Sequence, residues 1–214
     1  MDADAGKIRD EVRRAVELGR GIQKAACKIT LQALTRGELD RDAIRKVTGD
    51  VVKAVQEAAT VQGTRAKEVI AEAVAGVDEA LAHAAQALKL SIEEAGGRAE
   101  KFSREDLAKT RDSLKNLEGD FLETLGEAAR ASRSAMSSIL DDLIKHAQSS
   151  GTAVGRQLQQ MGGLSGRMAE AGRAQFEAAS RAAISSTAMM ARIASGVLAG
   201  IAETLDTKPG ERSR

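Results

Sequence analysis

The chain has 214 residues, with three Phe, one Pro, no Trp and no Tyr. Aromatic side chains usually dominate the burial of a globular core, so a core of Ala, Leu, Val, Ile and Met favours thin seams between helices. Lys and Arg number 32 and Asp and Glu number 31, which excludes a bulk electrostatic attraction to nucleic acid. The single Cys excludes an intramolecular disulfide.

The amino-terminal segment is predicted to be a helix from about Asp4 to Leu34, after three disordered residues. Its apolar and small residues recur at alternating steps of four and three, which is a heptad pattern. The stripe consists of Ile8, Val12, Ala15, Gly19, Ile22, Ala26, Ile29 and Ala33. Cys27 lies within this pattern and is expected to be a small buried thiol. The acidic start lacks an apolar run, so no signal peptide is predicted and the cytoplasm is the default location.

A second helix is predicted from about Asp40 to Ala95, and its stripe shifts by about one residue around Gln62-Gly63-Thr64. A bend or local unwinding is expected there. The stripe consists of Ile44, Val47, Val51, Ala54, Ala58 and Val61, then Val69, Ala73, Val77, Ala80, Ala84, Leu88 and Ile92. A continuous helix would span roughly 84 Å at 1.5 Å per residue, which predicts an elongated protein. Residues 4–95 are predicted to form a long helical hairpin, followed by a linker at 96–103.

The third predicted helix has the clearest local start in the chain. Ser103 is a favourable N-cap, Asp106 lies at the third helical position, and Phe102 can pack on Leu107 as a hydrophobic staple. The helix is predicted to run unbroken to a turn at residues 149–152, where Ser, Gly and Thr cluster.

The fourth segment, residues 151–205, differs in composition from the others. It contains eight of the twenty glycines, and only seven charged residues lie between 151 and 202. Each Gly costs a helix about 1 kcal/mol relative to Ala, so this segment is predicted to need a partner surface. It would complete a second hairpin over residues 104–205, before a disordered tail at 206–214.

The least polar stretch of the chain, residues 183–202, has the length of a membrane span. Arg192 at its centre argues against spanning. Small residues spaced for close helix packing accompany an aliphatic stripe typical of a helix lying on an apolar surface. The candidate packing or surface face consists of Gly162, Gly166, Met190, Ile193, Gly196, Val197, Gly200, Ile201 and Leu205. Packing within a bundle or oligomer, lying on a lipid or polymer surface, and spanning a membrane remain open.

The search for catalytic, cofactor-binding and metal-binding residues identifies none. His83 and His146 lie on different predicted helices without metal-ligand spacing or a nearby Cys motif, so both are expected to be structural. The acidic pairs Glu93-Glu94 and Asp141-Asp142 point about 100° apart on a helix and are interpreted as solvated faces. The chain is therefore predicted not to be an enzyme.

These patterns predict an all-α protein, an elongated bundle of one shorter and three long amphipathic helices with coiled-coil-like seams. Ala-rich amphipathic helices, heptad-like seams and scarce aromatic residues and Pro make the chain resemble phasins, bacterial proteins that coat polyhydroxyalkanoate granules. The segments ITLQALTRGELD, SGTAVGRQL and ASGVLAGIAETLD are also similar to a bacterial family without an assigned function. The glycine-dense fourth segment departs from the phasin pattern.

The resemblance to phasins implies a non-catalytic coat that self-associates as a homo-oligomer on an apolar polymer or lipid surface. A cytoplasmic protein associated with a granule or membrane surface would fit it. The first alternative is a purely structural coiled-coil oligomer or filament scaffold, and the second is a membrane-anchored adaptor. No nucleic-acid partner is expected, because basic and acidic residues alternate and there is no aromatic stacking platform.

Overall fold

The computed structural model describes residues 2–35, 41–97 and 104–161, together with residues 196, 198, 199 and 201. Helices and short turns make up these stretches, and none of the described residues lies in a β-strand. The α-helices are α1 (Asp2–Leu18), α2 (Ile22–Leu34), α3 (Arg41–Ala59), α4 (Ala66–Gly97), α5 (Arg104–Arg130), α6 (Ser134–Ser150) and α7 (Ala153–Met161). The prediction of an all-α protein is confirmed. The predicted arrangement of one short and three long helices is not confirmed, because each predicted long helix in the described residues is interrupted.

The first interruption separates α1 from α2 at Gly19-Arg20-Gly21. Gly19 and Gly21 have φ values of 64° and 66°, in the left-handed region that side chains with a Cβ rarely adopt. The prediction of one helix from Asp4 to Leu34 is therefore wrong. Gly19 occupies a seam position in the heptad pattern, but its backbone ends α1 there.

The second interruption coincides with the predicted bend at Gln62-Gly63-Thr64. Residues Gly63–Arg65 form a single 3-10 turn between α3 and α4, and Gly63 has a φ of 56°. The break leaves Val61 80% exposed, so its predicted place in the buried stripe is wrong. A third interruption, at residues 131–133, was not predicted and separates α5 from α6.

Helices α1 and α3 run in the same direction. Arg9 Nε lies 3.0 Å from Glu57 Oε2, and beyond the carboxy-terminal ends of both helices Arg65 Nη2 donates a hydrogen bond to the Gly19 carbonyl oxygen (3.3 Å). Helices α3 and α5 are also parallel, because Arg45, near the start of α3, pairs with Glu123 of α5 (3.1 Å), and Gln56, further along α3, bonds to Ser132 just after the end of α5. Helices α1, α3 and α5 therefore form a parallel row.

The lengths of the connections show that each helix of this row is followed by one that folds back on it. Because α1 and α3 run in parallel, the start of α3 lies beside the start of α1. If α2 continued straight from the far end of α1, Leu34 and Arg41 would therefore lie about 60 Å apart at 1.5 Å per residue. Seven residue steps reach at most about 25 Å, so α2 must return along α1. It contacts α1, α3 and α4.

Helices α2 and α4 are parallel to each other, because Gln23 bonds to Glu79 and the next turn of α2 faces the next turn of α4. Helix α4 therefore returns along α3. Helix α6 returns along α5, since Glu118 bonds to Thr152, far from the break at residues 131–133. The described residues thus form three helical hairpins, whose turns meet at one end, and α7 packs on α4 and α5.

Helix α4 is the centre of this arrangement and contacts α2, α3, α5, α6 and α7. Small and branched aliphatic side chains are buried on more than one of its faces. They are Val69, Ile70, Ala73, Val74, Val77, Ala80, Leu81, Ala84, Ala85, Ala87 and Leu88. A core of such residues contains little volume per side chain, so the helices must approach closely to remain packed.

Candidate functional site

The predicted carboxy-terminal face lies mostly outside the described residues. Of its nine residues, the structure describes Gly196 and Ile201. Gly196 is exposed, and a Cβ added to it would meet nothing within 4 Å. Ile201 is partly buried against the core, and Leu198, which was not included in the predicted face, is fully buried. The role of this face in packing or surface binding stays a prediction.

The start of the fourth segment is held by α4. The first amides of a helix have no partner within the helix, and here they find one in Asp78. Its carboxylate accepts hydrogen bonds from the backbone N–H groups of Ala153 (2.6 Å) and Val154 (3.0 Å). The Thr152 hydroxyl caps the same end, because it accepts a hydrogen bond from the Gly155 amide (2.8 Å). We call these contacts the α7 dock.

Helix α5 adds a second carboxylate to the α7 dock. The Thr152 hydroxyl donates a hydrogen bond to Glu118 Oε1 (2.5 Å), and the Glu118 carboxylate lies where a Cβ on Gly155 would be. Burial raises the pKa of Asp78, against the opposing effects of the two backbone hydrogen bonds and Arg156, and the charge of Glu118 raises it further. All three amides are satisfied by this protein's own side chains, so the dock positions α7 structurally.

The turns of the three hairpins form a surface that the sequence patterns did not predict. We define the turn end as residues 18–21, 60–65 and 130–133. Leu18 is 71% exposed and Val61 is 80% exposed, and both lie on this end. Single exposed apolar side chains are common, but these are the two most exposed large ones among the described residues.

Arginines surround these apolar side chains at the turn end. Arg20, Arg130 and Arg133 are exposed, and none of the three forms an ion pair with another described residue. Arg65 is occupied by the Gly19 carbonyl oxygen and by Glu68. The turn end therefore combines apolar and cationic groups.

A third group of interest lies where α2 meets α4. The structure brings Cys27, Glu79 and His83 together, with one ligand atom from each within 4.8 Å of the others. Cys27 is 1% exposed, which confirms the predicted burial of its thiol, and Glu79 and His83 are partly buried. The sequence has no Cys motif beside His83, and the structure brings Cys27 close to it from another helix. The spacing of Glu79 and His83, four residues apart on one helix, is the only sequence signal for this group.

Burial and the neighbouring charge of Glu79 raise the pKa of Cys27 to about 12. The thiol is therefore neutral at physiological pH and is a poor nucleophile. Its exposed fraction of 1% also leaves no room for a substrate. This group is suited to binding an ion between two helices, and unsuited to nucleophilic catalysis.

No helix among the described residues combines the length and the apolar character needed to cross a membrane. Comparison with curated proteins and with solved structures gives no match. A family model matches residues 1–207, nearly the whole chain. This agrees with the similarity to a family without an assigned function, whereas the resemblance to phasins is not confirmed. The chain belongs to the family of unknown function DUF6781.

Proposed function

We propose that this protein is a non-enzymatic, self-associating helical protein that covers an apolar polymer or lipid surface, in the manner of phasins. The observation that supports this proposal is the exposure of Leu18 and Val61 at one end of the hairpins. The turn end would touch the surface first, and the glycine-rich fourth segment would extend the contact.

The energetics of the turn end favour an apolar surface. Full burial of a Leu or Val side chain is worth about 1.5–3 kcal/mol. Burial of two such side chains would therefore supply much of the free energy needed for reversible binding to an apolar surface. An arginine near an anionic lipid surface adds about 1 kcal/mol. Arg20, Arg130 and Arg133 therefore favour a surface that carries negative charge around an apolar interior.

The fourth segment would contribute by exchanging contacts. Leu198 and Ile201 pack on the core, and Ala-rich seams bury less apolar area per residue than Leu-rich ones, at roughly 25 cal/mol per Å². Moving such a segment from the core to another apolar surface therefore costs comparatively little. The α7 dock would keep its start attached to α4 and α5 during this exchange.

Flotation with particles tests the proposal directly. The full chain is mixed with neutral vesicles, with vesicles containing anionic lipid, or with polyhydroxyalkanoate particles, and the bound fraction is measured. We expect L18S/V61S to reduce binding at least about tenfold, since two buried apolar side chains are lost. The matched control is Leu90→Ser, because Leu90 is 40% exposed but lies near the opposite end of α4. Absence of binding by the natural chain to all three particles would overturn the proposal.

Two further variants separate the contributions to binding. Replacing Arg20 and Arg133 with Gln should weaken binding to anionic vesicles and leave binding to uncharged polymer particles unchanged. A chain ending at Met161 tests the fourth segment while keeping the α7 dock. Truncation at Ser150 is unsuitable, because it would remove α7 and leave the Asp78 carboxylate without its amide partners.

The first alternative, a coiled-coil oligomer or filament scaffold, would use the same exposed side chains against another copy of the chain. Light scattering coupled to size-exclusion chromatography distinguishes the two functions. If L18S/V61S lowers the oligomeric mass without affecting flotation, the turn end is an interface between copies. The second alternative, a membrane-anchored adaptor, requires resistance of the natural chain to carbonate extraction.

A further inference from the structure

The contact between α2 and α4 contains a polar group within an otherwise apolar seam. Two residues four apart on α2, Gln23 and Cys27, face two residues four apart on α4, Glu79 and His83. Gln23 Nε2 donates a hydrogen bond to Glu79 Oε2 (3.1 Å). Thiol, carboxylate and imidazole ligand atoms from the other three residues all lie within 4.8 Å of one another.

We propose that Cys27, Glu79 and His83 bind a divalent transition metal ion of the Zn²⁺ type, which joins α2 to α4. This site does not depend on the proposed function of the turn end. Sulfur, nitrogen and carboxylate oxygen are the ligands that Zn²⁺ takes in proteins, and three protein ligands leave a fourth position for water. Ca²⁺ and Mg²⁺ prefer oxygen ligands only, so the thiol and imidazole select against them.

The geometry requires only small movements. Bond lengths of 2.0–2.3 Å in a tetrahedral site place the ligand atoms about 3.3–3.8 Å from one another. From an upper limit of 4.8 Å, side-chain rotations that move the ligand atoms by about 1 Å would close the site. The hydrogen bond from Gln23 already orients the carboxylate of Glu79, as outer-shell partners of metal ligands commonly do.

The charges of the ligands match a divalent cation in this partly buried position. On binding, Cys27 Sγ forms a bond to the metal and releases its proton to solvent, while His83 binds as the neutral imidazole. One thiolate and one carboxylate then neutralise the two positive charges of the ion. Such a neutral cluster avoids the cost of burying net charge. The partial exposure of Glu79 and His83 provides a path for entry.

Gly76 explains why Cys27 can reach α4. A Cβ on Gly76 would overlap the Gln23 carbonyl oxygen, and it would lie 3.0 Å from Ala26 Cβ and from the Cys27 amide nitrogen. The missing side chain therefore lets the backbone of α2 approach the turn of α4 that carries Glu79. The site depends on this close approach.

The test uses untagged full-length protein, reduced and stripped of metal with a chelator, and Co²⁺ as a spectroscopic probe. We expect saturation at one equivalent, with a near-ultraviolet thiolate-to-cobalt charge-transfer band and visible bands typical of tetrahedral cobalt, all removed by added Zn²⁺. Cys27→Ser should abolish the charge-transfer band. Glu79→Gln and His83→Gln should each weaken binding by at least about 100-fold. Loss of an outer-shell partner weakens metal binding by up to this factor, and loss of a direct ligand should cost at least as much.

His146→Gln is the matched control, because the chain has only two histidines and His146 is exposed on α6 beside Ser150. It should bind Co²⁺ like the natural protein. Circular dichroism without metal checks that each variant is folded. If Cys27→Ser fails to fold, the partly exposed positions Glu79 and His83 carry the test. The proposal is overturned if saturating Co²⁺ gives the natural protein no charge-transfer band, or if Glu79→Gln and His83→Gln bind as tightly as the natural protein does.

Discussion

Two nearly opposite faces of α4 hold their partner helices by different physical means. On one face, α2 approaches so closely at Gly76 that no side chain fits between the backbones. On another face, two residues later, Asp78 holds the first amides of α7 through hydrogen bonds. The comparison shows how a chain nearly without aromatic residues can secure its helices, either by reducing the distance between backbones or by capping helix ends.

The two contacts differ in what they tolerate. Close backbone approach at Gly76 gains dispersion contacts over many atom pairs but leaves no room for an added methyl group. The α7 dock depends on a few directional bonds, so it should tolerate changes of volume better than loss of an acceptor or donor. Substitutions at each contact can therefore distinguish close backbone packing from helix capping.

The largest effect is expected from Gly76→Ala. The new Cβ would overlap the Gln23 carbonyl oxygen, which belongs to a helical backbone and cannot move alone. Overpacking of this kind costs about 1–3 kcal/mol, and we expect a loss near 3 kcal/mol in the free energy of unfolding, measured with urea. Gly119→Ala is the control, because a Cβ there meets nothing within 4 Å and should stabilise its helix by up to about 1 kcal/mol. Equal stability of the two variants would refute close packing at Gly76.

Asp78→Ala should have the next largest effect. It leaves the amides of Ala153 and Val154 without their acceptor, and an unsatisfied buried donor costs about 1–3 kcal/mol. We expect a loss of about 2 kcal/mol and faster hydrogen exchange of the α7 amides. For comparison, Asp50→Ala removes a carboxylate that pairs with Lys46 four residues earlier on α3, at a cost of about 0.3–0.5 kcal/mol. A similarly small cost at Asp78 would show that packing, not capping, holds α7.

The sequence allowed the prediction of features that depend on neighbours along the chain. The buried stripe from Val69 to Leu88 follows from its period, and the breaks at Gln62-Gly63-Thr64 and near Gly151 follow from their turn residues. The contacts at Gly76 and Asp78 depend on which helices become neighbours, and no local pattern contains that information. For the same reason, the proximity of Cys27 to Glu79 and His83 on α4 could not be predicted from the sequence.

Gly19 shows a second limit of prediction from sequence. A glycine at a heptad position fits two structures equally well, either a small residue in a helix seam or a left-handed residue that ends a helix. The structure has the second, with a φ of 64°. The exposure of Leu18 follows from that choice, which is why the turn end was not predicted.

Thr152→Ala tests the hydroxyl of the α7 dock. Its oxygen caps the Gly155 amide, and its proton goes to Glu118. Loss of an N-cap typically costs about 1 kcal/mol, and we expect that loss in urea unfolding. Thr152→Ser keeps the hydroxyl and should recover most of the stability. If Ser is as destabilising as Ala, the buried methyl group of Thr152, not its hydroxyl, stabilises the end of α7.

The smallest effect, and the one whose sign matters most, is the pH dependence contributed by Asp78. Burial raises its pKa above the ordinary carboxyl value, so between those two pKa values the folded state binds a proton that the unfolded state lacks. The contribution of Asp78 to the free energy of unfolding therefore rises as pH falls from neutral through this window, and is lost as pH rises through the folded pKa.

Asp78→Asn isolates this contribution, because Asn keeps one acceptor and carries no titrating charge. The difference in unfolding free energy between the natural protein and Asp78→Asn should shift in favour of the natural protein as pH is lowered. Most other carboxyl groups titrate alike in both proteins and cancel, while the influence of Glu118, whose charge acts on Asp78, is checked with Glu118→Gln in both backgrounds. A shift in the opposite direction would mean that the amides of α7 stabilise the Asp78 carboxylate by more than burial costs it. The α7 dock would then weaken in acid, whereas the atoms at the closest approach of Gly76, which are the Gln23 carbonyl oxygen, Ala26 Cβ and the Cys27 amide nitrogen, carry no titrating group.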